Sequence, residues 1–112
     1  MASEIRHKSG HLWRTNRARL RSLGRGCWIC RAFGRDDWID YSLPACDPMA
    51  FEADHLIPFA RGGSDAFENL DATHRACNLW RRDRSVDEVL ACARRARSER
   101  DAAATVTVTT DW

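Results

Sequence analysis

The sequence has no long hydrophobic run and no apolar stretch near its start. No run of about 18 apolar residues occurs, so no segment is predicted to span a membrane. Residues 1–8 lack the apolar core of a secretion signal, which favours a cytoplasmic location. Because disulfides are rare in reducing compartments, the five cysteines are expected to be free or bound to metal.

Acidic residues are almost missing from the first third of the chain, and basic residues from the middle. Residues 1–35 hold nine Lys or Arg and one acid, whereas residues 36–71 hold nine acids and one base. Residues 72–112 hold eight bases and six acids. This distribution favours binding of a polyanion by the basic flanks and of a cation by the acidic centre. The alternative is that the Arg-rich segments are ordinary solvated faces.

A chain of 112 residues is predicted to form one domain with a modest core, which cross-links would help to stabilise. We expect a disordered basic N-terminus at 1–11 and a domain at 12–100. A flexible tail is expected at 101–112.

Hydrophobic spacing predicts a helix at residues 12–23 and a hairpin with a long loop in the middle of the chain. Its strands are predicted at 51–57, closed by a proline, and at 70–73. A short second hairpin through 38–41 is also predicted.

The second half of the chain is predicted to be mainly helical. One helix is expected at 75–84, and a second begins after Ser85, whose capping-box partner would be Glu88. This last helix is expected to end near Arg100. The residues after it indicate an alanine linker followed by an edge strand or a disordered tail.

Four ligand-type side chains occur as two pairs with the same inner spacing, C-x2-C and H-x2-C. They are Cys27, Cys30, His74 and Cys77. Three thiolates and one imidazole suit a tetrahedral structural zinc ion, which would pin distant parts of the chain together. The alternatives are a disulfide between the pairs or an ordinary polar role for His74. Cys46 and Cys92 are left over and are expected to be ordinary residues.

The chain between and beside these pairs carries a second group of motifs. In order they are Asp54-His55, Pro58, Gly62-Gly63, Asn69-Leu70 and Cys77-Asn78. Together with the two pairs, this order resembles the HNH endonucleases, and most closely the small zinc-containing versions in phages of actinobacteria. The resemblance covers about residues 12–84, with the core motif at 51–82. Taken alone, Asp54-His55 would more often be a surface turn.

The resemblance implies an α+β fold with a small ββα-metal (His-Me finger) core, a structural zinc knuckle and flanking helices. It implies that His55 is the general base and that Asn69 orients its imidazole. Asp54 and Asn78 would bind a catalytic divalent ion. The family often has Cys at position 74 and His at 78. A carboxamide at 78 favours Mg²⁺ or Mn²⁺, with other divalent ions such as Ni²⁺ open.

The chemistry of these residues agrees with hydrolysis of DNA phosphodiesters. A histidine can take a proton from water near neutral pH, and a divalent ion can stabilise charge on phosphate. Because neighbours on a regular strand face opposite ways, the strand is expected to end or distort between Asp54 and His55. The expected DNA contacts are Arg14, Arg17, Arg21, Arg61, Arg75, Arg81, Arg82 and Arg84.

Two other functions remain open. One is a zinc-stabilised DNA-binding module without catalysis. The other, implied by the resemblance, is a phage protein that works beside the terminase in DNA packaging in the host bacterial cytoplasm.

Overall fold

The computed structural model describes residues 10–109, with side chains as far as residue 104. The described part contains four α-helices, two strands and two short 3₁₀ turns. They are α1 (His11–Ser22), α2 (Trp28–Ala32), β1 (Phe51–His55), the turns Phe59–Arg61 and Phe67–Asn69, β2 (Leu70–His74), α3 (Arg75–Arg81) and α4 (Val86–Thr109). This arrangement confirms the predicted α+β class. No helix among these is long and apolar enough to cross a membrane.

The two strands form the predicted antiparallel hairpin. Phe51 pairs with His74 at one end, and His55 pairs with Leu70 at the other. The pairing is regular through His55, where β1 ends, so the strand neither ends nor distorts between Asp54 and His55. Side chains on a pleated strand alternate, and Asp54 and His55 therefore face opposite sides of the sheet.

Helix α1 covers the face of the hairpin that carries Phe51 and His55. Its Leu20 is fully buried in the core, and the Trp13 ring stacks on the His55 ring. The Arg17 guanidinium lies over the Phe51 ring. Basic residues in the last turn suit the negative end of the helix dipole. The predicted bounds of this helix are correct to within one residue.

Between α2 and β1 the chain has turns but no strand, so the short hairpin predicted at 38–41 is wrong. Polar groups in this stretch make local or distant bonds instead of a ladder. The Asp40 carboxylate accepts from the Ser42 amide, and the Trp38 carbonyl accepts from His74.

Helix α3 packs on the opposite face of the hairpin. It ends at Arg81, and the next residue, Arg82, has a positive φ of 54° that interrupts the helix before α4 begins. The predicted capping box is present: the Ser85 hydroxyl accepts from the Glu88 amide, and the Glu88 carboxylate accepts from the Ser85 amide.

Helix α4 continues past Arg100 to Thr109, so the predicted linker and edge strand are wrong. Alanine has the highest helix propensity, and a strand at this point would have no neighbour to pair with. The division into a domain at 12–100 and a tail at 101–112 stays a prediction. Residues 1–9 and 110–112 lie outside the described part.

Candidate functional site

The four predicted zinc ligands lie together. Their ligand atoms are all within 4.8 Å of one another. The Cys30 Sγ lies 3.7 Å from the Cys77 Sγ and 3.4 Å from the His74 Nδ1. A tetrahedral ion with its usual bond lengths would set such sulfur–sulfur edges at about 3.8 Å. The donor set and its spacing therefore fit zinc.

Local structure aims each of these ligands. Cys27 is the N-cap of α2, and its sulfur accepts from the Cys30 amide, 3.4 Å away. His74 ends β2, and Cys77 lies in the first turn of α3. The His74 Nε2–H donates to the Trp38 carbonyl at 2.9 Å, which leaves Nδ1 as the nitrogen that faces the sulfurs.

The thiols interact strongly with one another. A hydrogen bond from Cys77 lowers the pKa of Cys27 to about 5, against the opposing effect of burial. The same bond raises the pKa of Cys77, and burial raises that of Cys30. The cluster thus favours one thiolate, since further negative charges at this spacing repel. A divalent cation bound by the cluster would offset that repulsion.

Asp54 is buried and has two donors on one carboxylate oxygen. The Trp28 indole N–H lies 2.8 Å and the Arg81 Nη1 2.5 Å from its Oδ2. Burial raises the pKa of Asp54, and the positive charge of Arg81 is the largest influence that opposes the rise. The cation beside Asp54 in this structure is therefore a guanidinium.

Arg81 itself is 0% exposed, so it does not reach DNA as the sequence predicted. Besides Asp54, it donates to the main-chain carbonyls of His55, Leu56 and Arg84. The guanidinium therefore joins the end of β1 to the end of α3. An arginine in a basic run gives no sequence signal of this role.

His55 lies on the other face, 9% exposed, at the last position of β1. Its Nε2 is 2.8 Å from the Oδ1 of Asp65. The Trp13 indole stacks on its ring, with centroids 5.2 Å apart and planes 13° apart. Neither Asp65 nor Trp13 is identifiable from the sequence as a partner of His55, because both contacts depend on tertiary packing.

Asn69 contacts the loop rather than the His55 ring. Its amide group donates to the carbonyls of Ile57 and Ser64 and accepts from the Ile57 amide, at distances of 2.8–3.1 Å. These three bonds close the loop that carries Asp65. The direct orientation of His55 by Asn69, implied by the resemblance, is not among its contacts.

Asn78 donates to the Glu52 carboxylate at 2.9 Å. Asp54 and Asn78 thus have separate partners, and their sharing of one divalent ion stays a prediction. Among the described residues, no group of three or more His, Cys, Asp or Glu side chains other than the zinc cluster is close enough to hold a metal.

The remaining predicted DNA contacts are at least partly exposed. Arg21 donates to the Tyr41 carbonyl, and Arg61 and Arg75 approach the carboxylates of Glu88 and Glu52. The others are Arg14, Arg17, Arg82 and Arg84. Each of these side chains is at least partly exposed to solvent.

A family model described as HNH endonuclease matches residues 27–84, just over half of the chain. The chain belongs to the HNH endonuclease family. Comparison with curated proteins and with solved structures gave no significant match. The HNH match begins at the first zinc ligand and covers the hairpin and α3. It leaves out α1, which covers His55, and all of α4. Family membership supports a nuclease or DNA-binding function.

Proposed function

We propose that this HNH protein is a metal-dependent DNA endonuclease that hydrolyses phosphodiester bonds, with His55 as the general base. The supporting observation is the fixed imidazole at the end of β1. It is held on one nitrogen by Asp65, which like His55 lies in the segment that matches the family, and on its face by Trp13 of α1. A proton acceptor for catalysis must be held in a defined orientation in this way.

In this proposal the imidazole takes a proton from a water that attacks phosphorus, and the ester oxygen leaves on the opposite side. A divalent ion, when bound, would supply charge stabilisation at the phosphate. The metal requirement comes from the family and from this chemistry. It does not come from the arrangement of Asp54 and Asn78, the proposed ligands, because Asp54 is already paired with Arg81.

Affinity for DNA would come from the exposed arginines. Arginine contacts to phosphate position a protein without reading sequence. Arg14 and Arg21 on α1 and Arg82 after α3 are exposed. The proposal therefore predicts salt-sensitive binding to any duplex.

The test is cleavage of a supercoiled plasmid with Mg²⁺, Mn²⁺ or Ni²⁺, with EDTA as the metal-free control. Wild type should nick in at least one ion, and His55→Ala should nick at least about 100-fold more slowly. Equal rates for the two proteins in every ion would overturn the enzyme assignment.

A second candidate is a zinc-stabilised DNA-binding module that does not cut. Two observations favour it: the Arg81 guanidinium occupies Asp54, and Trp13 covers His55. A gel shift run beside the plasmid assay separates the candidates. DNA binding without metal-dependent nicking would support the module.

The resemblance also leads us to propose a role beside the phage terminase in DNA packaging, in the bacterial cytoplasm. The exposed side chains of Trp38 and Trp80 offer contact area for such a partner. Co-purification of the full chain with a tagged terminase subunit tests this role. A chain that elutes without the subunit, while still cutting DNA, would remove it.

A further inference from the structure

The ring of His55 has a carboxylate partner that belongs to none of the motifs. The Asp65 Oδ1 lies 2.8 Å from the His55 Nε2, and the two side chains are 12% and 9% exposed. A carboxylate only accepts hydrogen bonds, so Nε2 carries the proton in the neutral ring. The lone pair of the neutral ring is then on Nδ1.

The loop that carries Asp65 is fastened on both sides. The Asp65 carbonyl accepts from the Asn16 side chain of α1 at 2.8 Å. The Asn69 side-chain amide donates hydrogen bonds to the carbonyls of Ile57 and Ser64. These hydrogen bonds therefore fix the position of the Asp65 carboxylate next to His55.

We infer that Asp65 is the positioning residue for His55. It fixes the proton on Nε2 and the plane of the ring, so that Nδ1 is the atom that accepts a proton from water. Asn69 acts one step further away, by closing the loop. The assignment of Nδ1 as the base rests on the proposed endonuclease function, whereas the pairing of Asp65 with His55 does not.

The pairing can be tested without activity. In the ¹H spectrum of the full-length zinc-loaded chain, a ring N–H held by a carboxylate should give a slowly exchanging, strongly downfield proton signal. This signal should be absent from His55→Gln, which assigns it. It should be lost in Asp65→Ala and weakened in Asp65→Asn, whose shape is conserved.

The matched control is Glu68→Ala, which removes an exposed acid from the same loop. It should leave the signal unchanged. The ring N–H of His74, which donates to the Trp38 carbonyl, provides an internal reference for correct folding in every variant. If the His55 signal persists in Asp65→Ala while the reference is intact, the pairing is overturned, whether or not the protein cuts DNA.

Nicking kinetics test the second part of the inference, that Asp65 positions His55 for catalysis. Asp65→Ala should lower kcat for nicking by about 10- to 100-fold with little change in KM, since the loss is one of orientation. The double variant His55→Ala/Asp65→Ala should be no slower than His55→Ala, because the residues act as a unit. A further fall in the double variant would show that Asp65 acts elsewhere. An inactive wild type that keeps the downfield signal would refute the endonuclease and leave the pairing standing.

Discussion

Replacement of Arg81 by Met should destabilise the protein severely. From the sequence alone, this arginine is expected to lie on the surface. The change removes the guanidinium and fills its space with an apolar chain. Asp54 is 4% exposed and would keep only its bond from Trp28. The carbonyls of His55 and Leu56 would lose their donor from this side chain.

The magnitude follows from that burial. Removal of one partner from a buried ion pair costs about 3–5 kcal/mol. A domain of this size unfolds with about 5–15 kcal/mol, so Arg81→Met should lose a large share of its stability. The double variant Asp54→Asn/Arg81→Met should recover part of the loss, because no uncompensated charge remains.

The loss should also depend on pH, with a sign that the structure fixes. Burial raises the pKa of Asp54 above its ordinary value, and Arg81 opposes the rise, so Arg81→Met raises this pKa further. The folded state then binds the proton more tightly than the unfolded state, and stability falls as pH rises towards the folded pKa. The deficit of the variant should therefore be largest near neutral pH and narrow as pH is lowered.

Urea unfolding of both proteins with excess zinc measures the difference. The exposed neighbour Arg82→Met serves as a control and should change the unfolding free energy by at most about 0.5 kcal/mol. The claim that this guanidinium holds Asp54 in place is refuted if the unfolding free energy of Arg81→Met at neutral pH lies within about 1 kcal/mol of the wild-type value. Such a difference is well below the expected cost of breaking a buried ion pair.

Three further predictions concern the loop, a helix cap and DNA binding. Gly63→Ala would place a Cβ 1.7 Å from the Ile57 carbonyl oxygen, so urea unfolding should show a loss of about 1–3 kcal/mol; wild-type stability would contradict the tight turn. Ser85→Ala removes the acceptor for the Glu88 amide and should cost about 1 kcal/mol in the same assay, and a null result would show that the cap does not stabilise α4. Arg82→Ala should reduce the slope of log affinity against log salt by about 0.9 in a gel-shift titration, and an unchanged slope would remove this residue from the DNA surface.

Much of the fold could be predicted from local sequence patterns. The paired spacing of Cys27, Cys30, His74 and Cys77 predicted a cluster that the structure brings together. Alternation as far as His55 predicted the first strand of the hairpin, and the Ser85 capping box is formed as expected. These features depend on short sequence spacings or on ligand chemistry, and both can be recognised from the sequence.

Features set by distant packing could not be predicted in the same way. Arg81 has the same local context as its exposed neighbours, and its partner Asp54 lies 27 residues away. Asp65 stands in a turn-rich segment, where an acid is usually solvated, and only the closed loop directs it to His55. The extension of α4 to Thr109 was not predicted, because the Thr/Val alternation that follows the alanines is typical of a strand.

The arrangement of the core depends most on one ion that would join α2 to the hairpin and α3. Metal analysis combined with X-ray absorption of the purified full-length chain tests this directly. The expected result is one zinc per chain, bound by three sulfurs at about 2.3 Å and one nitrogen at about 2.0 Å, and lost from Cys27→Ser. A chain purified without zinc and with a disulfide between the pairs would contradict it, as would zinc fully retained by Cys27→Ser.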